Sequence, residues 1–419
     1  MKPLRRAAIL AVGSELLTPS RLDTNSLVIT RQLDLLGCEL VFKAVVGDQR
    51  DELASAVRHA LARADLIVCS GGLGPTDDDV TREVVAEVLT RPLAEDERIT
   101  ARIRARFETR GLQMPEINRR QALVPAGAVV LENANGTAPG LWLEDGDRVV
   151  VMLPGPPREL EPMLVSLVEG RLKARAAGLS LARVSIRITG RTESHTEMAM
   201  QPLYAAWARA PVPVAATILA SLGQIELHLS ARAASRERAE AAVDDASREA
   251  AALLGLDAFS RDGRTLEEVV GALLVERGLR IAVAESCTGG LVASRLTDVS
   301  GSSQYVISGV VAYANEEKTR LLGVPAELMA EHGAVSEAVA VAMAEGIRGR
   351  AQTDVGVGVT GVAGPGGGTP AKPVGTVAVA AAVPQATRSR LLRFTGDRAL
   401  VKFQASQAAL DLVRRLLLA

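Results

Sequence analysis

The stretch Ile281-Ala282-Val283-Ala284-Glu285-Ser286-Cys287-Thr288-Gly289-Gly290 decides how the C-terminal part of this chain is read. An apolar run of strand type stops at Glu285. Small hydroxyl, thiol and glycine residues follow, and Leu291, Val292 and Leu296 then carry a helical pattern. A strand passing into a helix through such residues brings a nucleophile-capable side chain and unpaired helix-start N–H groups to one sheet edge. In open α/β sheets ligands bind at that edge, outside the carboxyl ends of the strands. The stretch therefore reads as an active site on a doubly wound parallel sheet.

The neighbouring segments fit this reading. Thr265 and Glu268 have capping-box spacing ahead of an amphipathic helix through Leu266, Val270 and Leu274. Small polar loops follow at Gly301-Ser302-Ser303 and Gly333-Ala334-Val335-Ser336, and the strand ending at Thr360 breaks at Gly361. A serine nucleophile needs a base. After residue 258 the sole histidine is His332, in a loop far along the chain. Only six of the 48 basic residues are lysines, so a retained lysine points to something arginine cannot do, such as giving up its proton. Lys318, five residues after Tyr313, is the expected base, with Tyr313 as relay. Thr288 and Gly289 offer N–H groups for an oxyanion. Cys287 is the rival nucleophile, activated by the same helix start. Simple helix capping by Ser286 is the structural alternative. Gly356, Gly358 and Gly361 match a dinucleotide-binding pattern by spacing, but two lie inside the strand and no helix follows, so that reading is rejected.

Residues 1–175 alternate strand and helix, which implies a second doubly wound parallel sheet. Gly71-Gly72-Leu73-Gly74-Pro75-Thr76-Asp77-Asp78-Asp79 follows a buried strand and leads into a helix. Glycines admit a ligand close to the backbone, and a helix start favours phosphate. Three consecutive aspartates beside such a cradle suggest a cation bridging carboxylate and phosphate. Capping, with Thr76 and Asp79 at capping-box spacing, accounts for part of this pattern. Asp23-Thr24-Asn25 opens another helix, and the polar loop Asn118-Arg119-Arg120-Gln121 suits a cleft wall. Residues 176–257 read as a small α+β spacer or dimer element without the Gly-x-x-Gly loop that clamps RNA.

A net charge of −1 and 2% aromatic residues give no footprint for direct nucleic-acid binding. Three distant cysteines make neither a disulfide framework nor a zinc site, which suits a cytoplasmic location. The apolar run Ala7–Val12 is too short for a signal peptide, and no run reaches membrane-spanning length.

Motifs along the whole chain resemble the CinA (competence/damage-inducible) family. In the N-terminal part these are Gly72-Leu73-Gly74-Pro75-Thr76 with Asp78-Asp79, Asp23-Thr24-Asn25, Gly136-Thr137-Ala138-Pro139-Gly140 and Leu153-Pro154-Gly155. In the C-terminal part they are Ala284 to Gly290, Gly301 to Ser303, Tyr313 with Lys318, Thr360 to Gly368 and Lys372 to Gly375. The resemblance implies two α/β domains, residues 1–175 and 258–419, joined by a small KH-like domain at 176–257. The first is similar to molybdopterin-binding domains and is associated with ADP-ribose hydrolysis using a divalent metal such as Mg²⁺, with K⁺ as a companion. The implied site comprises Glu15, Asp23, Asn25, Gly72, Gly74, Thr76, Asp78, Asp79, Asn118 and Gln121, with Asp78 or Asp79 near the metal as its candidate ligands. The family pattern usually has a glycine where this chain has Thr18-Pro19-Ser20, and proline stiffens that loop.

The C-terminal part is similar to nicotinamide-nucleotide amidases, which need no cofactor and convert nicotinamide mononucleotide to nicotinate mononucleotide. The resemblance carries catalytic roles to Ser286, Tyr313, Lys318 and Thr360. Substrate contacts are implied for Cys287, Thr288, Gly289, Gly301, Ser302, Ser303, Gly361 and Arg398, the last on phosphate. A homodimer is also implied, with no membrane partner. Two rivals stay open: a recruitment scaffold for DNA uptake or repair, and an N-terminal domain that only binds a pterin phosphate.

Overall fold

A computed structural model describes residues 2–221 and 223–419. The chain divides into two compact units, Met1–Ala182 with Ala231–Ala241, and Arg183–Ser230 with Ala242–Ala419.

The first unit opens with β1 (Arg6–Val12), α1 (Asn25–Leu35), β2 (Glu39–Val46), α2 (Arg50–Arg63), β3 (Leu66–Ser70) and α3 (Thr81–Val88). A short antiparallel pair, β4 (Leu93–Glu95) and β5 (Leu123–Pro125), brackets α4 (Glu97–Glu108). Then come β6 (Val129–Leu131), β7 (Gly140–Asp145), β8 (Arg148–Leu153), α5 (Pro157–Leu167) and a short α6 (Lys173–Arg175). The sheet order is β2-β1-β3-β8-β7-β6. Alternate residues of the same strands feed two cores. Leu10, Ile67 and Val150 pack with α2 and α3 through Leu53, Val57 and Val84. Ile9, Val68 and Val151 pack with α1 and α5 through Ile29, Leu33 and Leu160. The unit is therefore doubly wound, as expected.

It is not wholly parallel. β1, β2, β3 and β8 run parallel, but β7 and β6 are antiparallel additions. The cause is local: the turn between β7 and β8 is Gly146-Asp147, with Gly146 at φ 59°, and so short a connection can only reverse the chain.

In residues 176–257, β9 (Ser180–Ile188), α7 (Glu193–Arg209), β10 (Val214–Ser221), β11 (Gln224–Ala233) and α8 (Arg236–Leu254) follow. With β12 (Ala258–Ser260) the strands form a sheet ordered β10-β11-β9-β12. This is an α+β element, but its residues are divided between the two units.

The remainder of the second unit contains α9 (Leu266–Arg277), β13 (Ile281–Glu285), α10 (Leu291–Thr297), β14 (Val306–Val311), α11 (Asn315–Leu322), α12 (Ala326–His332) and α13 (Glu337–Ala351). β15 (Val355–Gly361), β16 (Thr376–Val383), β17 (Ala386–Arg393) and α14 (Arg398–Leu418) complete it. The sheet order is β14-β13-β15-β16-β17. β14, β13 and β15 are parallel, while β16 and β17 are antiparallel, which again corrects the all-parallel expectation. Val283, Val357 and Val379 face α9, α10 and α14, and Ala282 and Ala284 face α13. The strand glycines have a packing purpose: a Cβ on Gly358 would stand 2.2 Å from the Ala340 carbonyl oxygen, so α13 lies directly on bare backbone. Among the described residues no helix is long and apolar enough to cross a membrane.

Candidate active sites

The C-terminal site forms where β13, β14 and β15 end. Glu285, the last residue of β13, is 1% exposed and turns its carboxylate onto the start of α10. It accepts from the N–H groups of Gly290, Val292 and Ala293 at 3.1, 3.1 and 2.9 Å. The helix start is thus satisfied from within the chain, and Gly289 N–H donates to the Ser286 carbonyl at 3.1 Å. This corrects the expectation that Gly289 offers a free oxyanion donor. Sequence reasoning missed Glu285; the signal was an acid closing an apolar strand ahead of two glycines. Gly289 and Gly290 adopt φ 63° and 93°, so the turn itself demands glycine.

Ser286 is tied by its N–H to the Val359 carbonyl at 2.9 Å, and only 7% of it is exposed. Lys318, on α11, is 2% exposed. Its ammonium donates to the Tyr313 carbonyl at 3.3 Å and to Asn315 Oδ1 at 3.4 Å. Burial pushes its pKa down, while the neighbouring Cys287 and Glu316 act the other way. Cys287 Sγ lies 3.0 Å from where a Cβ on Gly361 would stand. Burial pushes the Cys287 thiol up to about 12, and the negative charge of Glu285 adds to this. The thiol is therefore protonated at neutral pH, which corrects its expected activation by the helix start.

Arg398 stands at the start of α14. Its Nη2 donates to the Tyr313 hydroxyl at 2.8 Å and its Nη1 to the Gly364 carbonyl at 2.8 Å. Thr360 is 1% exposed and gives its hydroxyl hydrogen to the Ala334 carbonyl at 2.8 Å, so it ties a loop down. Thr288 is fully buried, and its hydroxyl has no hydrogen-bond partner among the described residues. Gly301, Ser302 and Ser303 lie elsewhere. They precede β14, which runs parallel to β13, so they sit at the amino edge while Ser286 sits at the carboxyl edge. About 3.3 Å per residue of strand separates those edges. Lys402, which sequence reasoning passed over, puts its Nζ 3.4 Å from where a Cβ on Gly289 would stand. Its spacing of one helical turn from Arg398 was the available signal.

The N-terminal site is a cleft of about 720 Å³ along the carboxyl ends of β1, β3 and β8. Of the expected residues, Glu15, Asp23, Asn25, Gly72, Gly74, Asp78, Asp79 and Gln121 line it. Thr76, which is exposed, and Asn118, which is buried, are not part of its lining. Thr76 gives its N–H and its hydroxyl hydrogen to Asp79 Oδ2 at 2.9 and 2.6 Å, and Asn118 Nδ2 donates to Gln121 Oε1 at 3.2 Å. The Thr76–Asp79 turn precedes α3 rather than capping it, since that helix starts at Thr81. Gly72 has φ 66°, and a Cβ there would meet Thr81 Oγ1 at 2.1 Å. Asp48 and Glu159 also line the cleft and were missed. Asp48 accepts from Ser14 N–H at 2.9 Å, and Glu159 accepts from Asn133 Nδ2 at 2.8 Å.

Glu15, Asp23, Asp48, Asp78, Asp79 and Glu159 face Arg21 alone as a lining cation, so an anionic ligand needs added positive charge. Asn25 Oδ1 and Asp23 Oδ2 are buried without a hydrogen-bond donor, the latter 3.7 Å from Lys43 Nζ. No group of three His, Cys, Asp or Glu side chains able to hold a metal occurs among the described residues. These oxygen donors do not make a zinc cage. They fit a hard ion such as Mg²⁺, which takes one or two carboxylates and completes its shell with water and substrate phosphate.

Residues 263–417 match the family model "CinA C-terminal domain", and residues 8–174 match "Probable molybdopterin binding domain". A CinA-like protein of Koribacter versatilis is 47% identical over 98% of this chain and 100% of its own length. A CinA-like protein of Acidobacterium capsulatum is 44% identical over 98% of this chain and 100% of its own. Among solved structures, the protein CinA of Thermoplasma acidophilum, described as of unknown function, is 36% identical with a TM-score of 0.37. That match covers 39% of this chain and 96% of that one.

Proposed function

This chain belongs to the CinA family, and from that premise we propose that its C-terminal part is a nicotinamide-nucleotide amidase and its N-terminal part a metal-dependent ADP-ribose pyrophosphatase. One observation carries the amidase reading. Lys318, 2% exposed and with its pKa lowered by burial, shares a sheet edge with Ser286. Burial disfavours the charged form, so this lysine is disposed to act as a base.

In the first half-reaction the neutral amine of Lys318 takes the Ser286 proton while Oγ adds to the carboxamide carbon. The C–N bond then breaks, and the departing nitrogen receives that proton and leaves as ammonia. In the second half, Lys318 takes a proton from water, whose oxygen attacks the ester. The Ser286 Oγ–carbon bond breaks, Lys318 returns the proton to Oγ, and nicotinate mononucleotide is released. Arg398 and Lys402, one turn apart on α14, supply positive charge for the 5′-phosphate. Ser286 is the proposed nucleophile, and burial pushes the rival Cys287 thiol up to about 12. The test is ammonia release from nicotinamide mononucleotide, with chelator present, by wild type, Ser286→Ala and Lys318→Arg. Activity in the wild type alone supports the proposal, and activity persisting in Ser286→Ala overturns the serine route.

In the N-terminal cleft the glycines of the 71–74 turn let a pyrophosphate approach the backbone, and Asn118 holds Gln121 toward the ligand. Asp78 and Asp79 would hold the divalent cation, which would neutralise the pyrophosphate oxygens and favour attack by water. The rival ligand is a pterin phosphate, in keeping with the molybdopterin-binding description of the matching family model. Metal-dependent release of AMP from ADP-ribose decides for hydrolysis, and its absence in a folded protein decides against it.

A further inference from the structure

Beside the acidic N-terminal cleft lies a separate cavity of about 250 Å³ with the opposite electrostatic character. Its walls are α4 and the loop that carries Asn133 to Thr137. Thr137 lines both cavities, so the loop is the partition between them. The charged residues of the smaller cavity are Arg102 and Arg106, one helical turn apart on α4, and among the described residues no carboxylate lines it.

The two arginines are held differently. Arg106 Nη1 donates to the Ala134 carbonyl at 3.0 Å, which fixes the loop to the helix. Arg102 Nη2 is buried and has no hydrogen-bond partner. A guanidinium donor buried without an acceptor is costly, and an anion is the group that relieves it. The same arginines also border a larger groove on their other side, about 510 Å³, where Glu132 and Glu159 are found. Neither acid forms an ion pair with them among the described residues, and Glu159 already accepts from Asn133. Asn133 cannot serve as the missing acceptor. Its Oδ1 is taken by the N–H groups of Asn135 and Gly136, and its Nδ2 donates to Ala138 and Glu159. The loop is thus internally satisfied, and the arginine is not.

We infer that this cavity is an anion subsite for a phosphoryl or carboxylate group, with Arg102 as its principal donor and Thr137 at its junction with the main cleft. The acidic cleft and the basic pocket divide the work. A metal-bridged phosphate belongs to the cleft, and a second anionic group on the same ligand, or a small free anion, belongs to the pocket. The inference deepens the N-terminal reading but does not need its hydrolytic part, because the pocket recognises charge and not a scissile bond.

The test is calorimetric titration of the full chain with inorganic phosphate and with ADP-ribose, using wild type, Arg102→Gln and Arg102→Glu. Arg102 makes no hydrogen bond through the orphaned nitrogen, so both variants are expected to fold, and unchanged melting temperatures verify this. Loss of a charge-assisted contact weakens phosphate binding roughly tenfold or more in Arg102→Gln and abolishes it in Arg102→Glu. Equal phosphate affinity in all three proteins, or no phosphate binding by the wild type, overturns the subsite. Phosphate binding that depends on Arg102 in a protein unable to hydrolyse ADP-ribose keeps the subsite and removes the pyrophosphatase. Hydrolysis and binding of ADP-ribose that ignore Arg102 do the reverse.

Discussion

The Nη2 of Arg398 donates to the hydroxyl of Tyr313 at 2.8 Å, joining the start of α14 to the end of β14 across 85 residues of sequence. The second donor of the same guanidinium reaches the Gly364 carbonyl. One planar group therefore sets the spacing between two loops at the site, which an ammonium on a flexible stem cannot reproduce. Arg398→Lys is expected to raise the KM for nicotinamide mononucleotide about tenfold, with a smaller change in kcat. Tyr313→Phe removes the acceptor but leaves the bond to Gly364, so its KM effect is expected to be smaller. Steady-state kinetics on both variants checks the ranking; equal KM values for wild type and Arg398→Lys refute the anchoring role.

Lys318 links activity to pH and to stability. Burial lowers its pKa, and the base is the neutral form, so kcat/KM should rise with pH up to that lowered pKa and then level off. The stability effect follows from proton counts. Between the lowered folded pKa and the unfolded value of about 10.4, the unfolded chain binds more protons, so stability rises with pH across that window. Lys318→Met removes a buried charge whose two hydrogen bonds are long. It should abolish amidase activity and stabilise the protein at neutral pH by on the order of 1 kcal/mol. That gain should shrink as pH climbs through the same window. Thermal melts from neutral to alkaline pH would show it, and a destabilised Lys318→Met would contradict it.

Cys287 is expected to be chemically quiet. With its thiol pushed up to about 12 and 5% of the residue exposed, thiolate is scarce near neutrality. Iodoacetamide should label the native chain slowly and the unfolded chain readily, as read by mass spectrometry. Cys287→Ala should keep most amidase activity, whereas Ser286→Ala should lose it. Were Cys287 the nucleophile, the rate would climb steeply into strongly alkaline solution and the two variants would exchange their effects.

Much of this was legible in the primary structure because buried parallel strands are written as continuous apolar runs. Leu66–Ser70 and Ile281–Glu285 are both fully buried and both end at ligand-type turns. The direction of the edge strands was missed, although Asp145-Gly146-Asp147 spelled a hairpin. Residues whose role depends on what lies across the sheet left little trace. Gly301 to Ser303 look like a ligand loop, yet parallel pairing puts them at the wrong edge. Lys402 gains its position only because α14 returns over the 286–290 turn. The spacing of Thr76 and Asp79 announced their contact, but not that α3 would start only at Thr81, beyond their turn.

The two sites can be separated by a single methyl group. Gly72 has φ 66°, where an alanine is strained by about 1–2 kcal/mol, and the added Cβ would lie 2.1 Å from Thr81 Oγ1. Thr81 cannot yield without cost, because its hydroxyl donates to the Gly71 carbonyl at 2.9 Å inside the same turn. Gly72→Ala must therefore shift the backbone that lines the acidic cleft. AMP release from ADP-ribose is expected to fall at least tenfold, while ammonia release from nicotinamide mononucleotide stays at the wild-type rate. Chelation should mimic the variant, removing the first activity and sparing the second. If Gly72→Ala lowered both activities equally with the circular dichroism spectrum unchanged, the sites would not be independent, and a scheme in which one feeds the other would replace the present one.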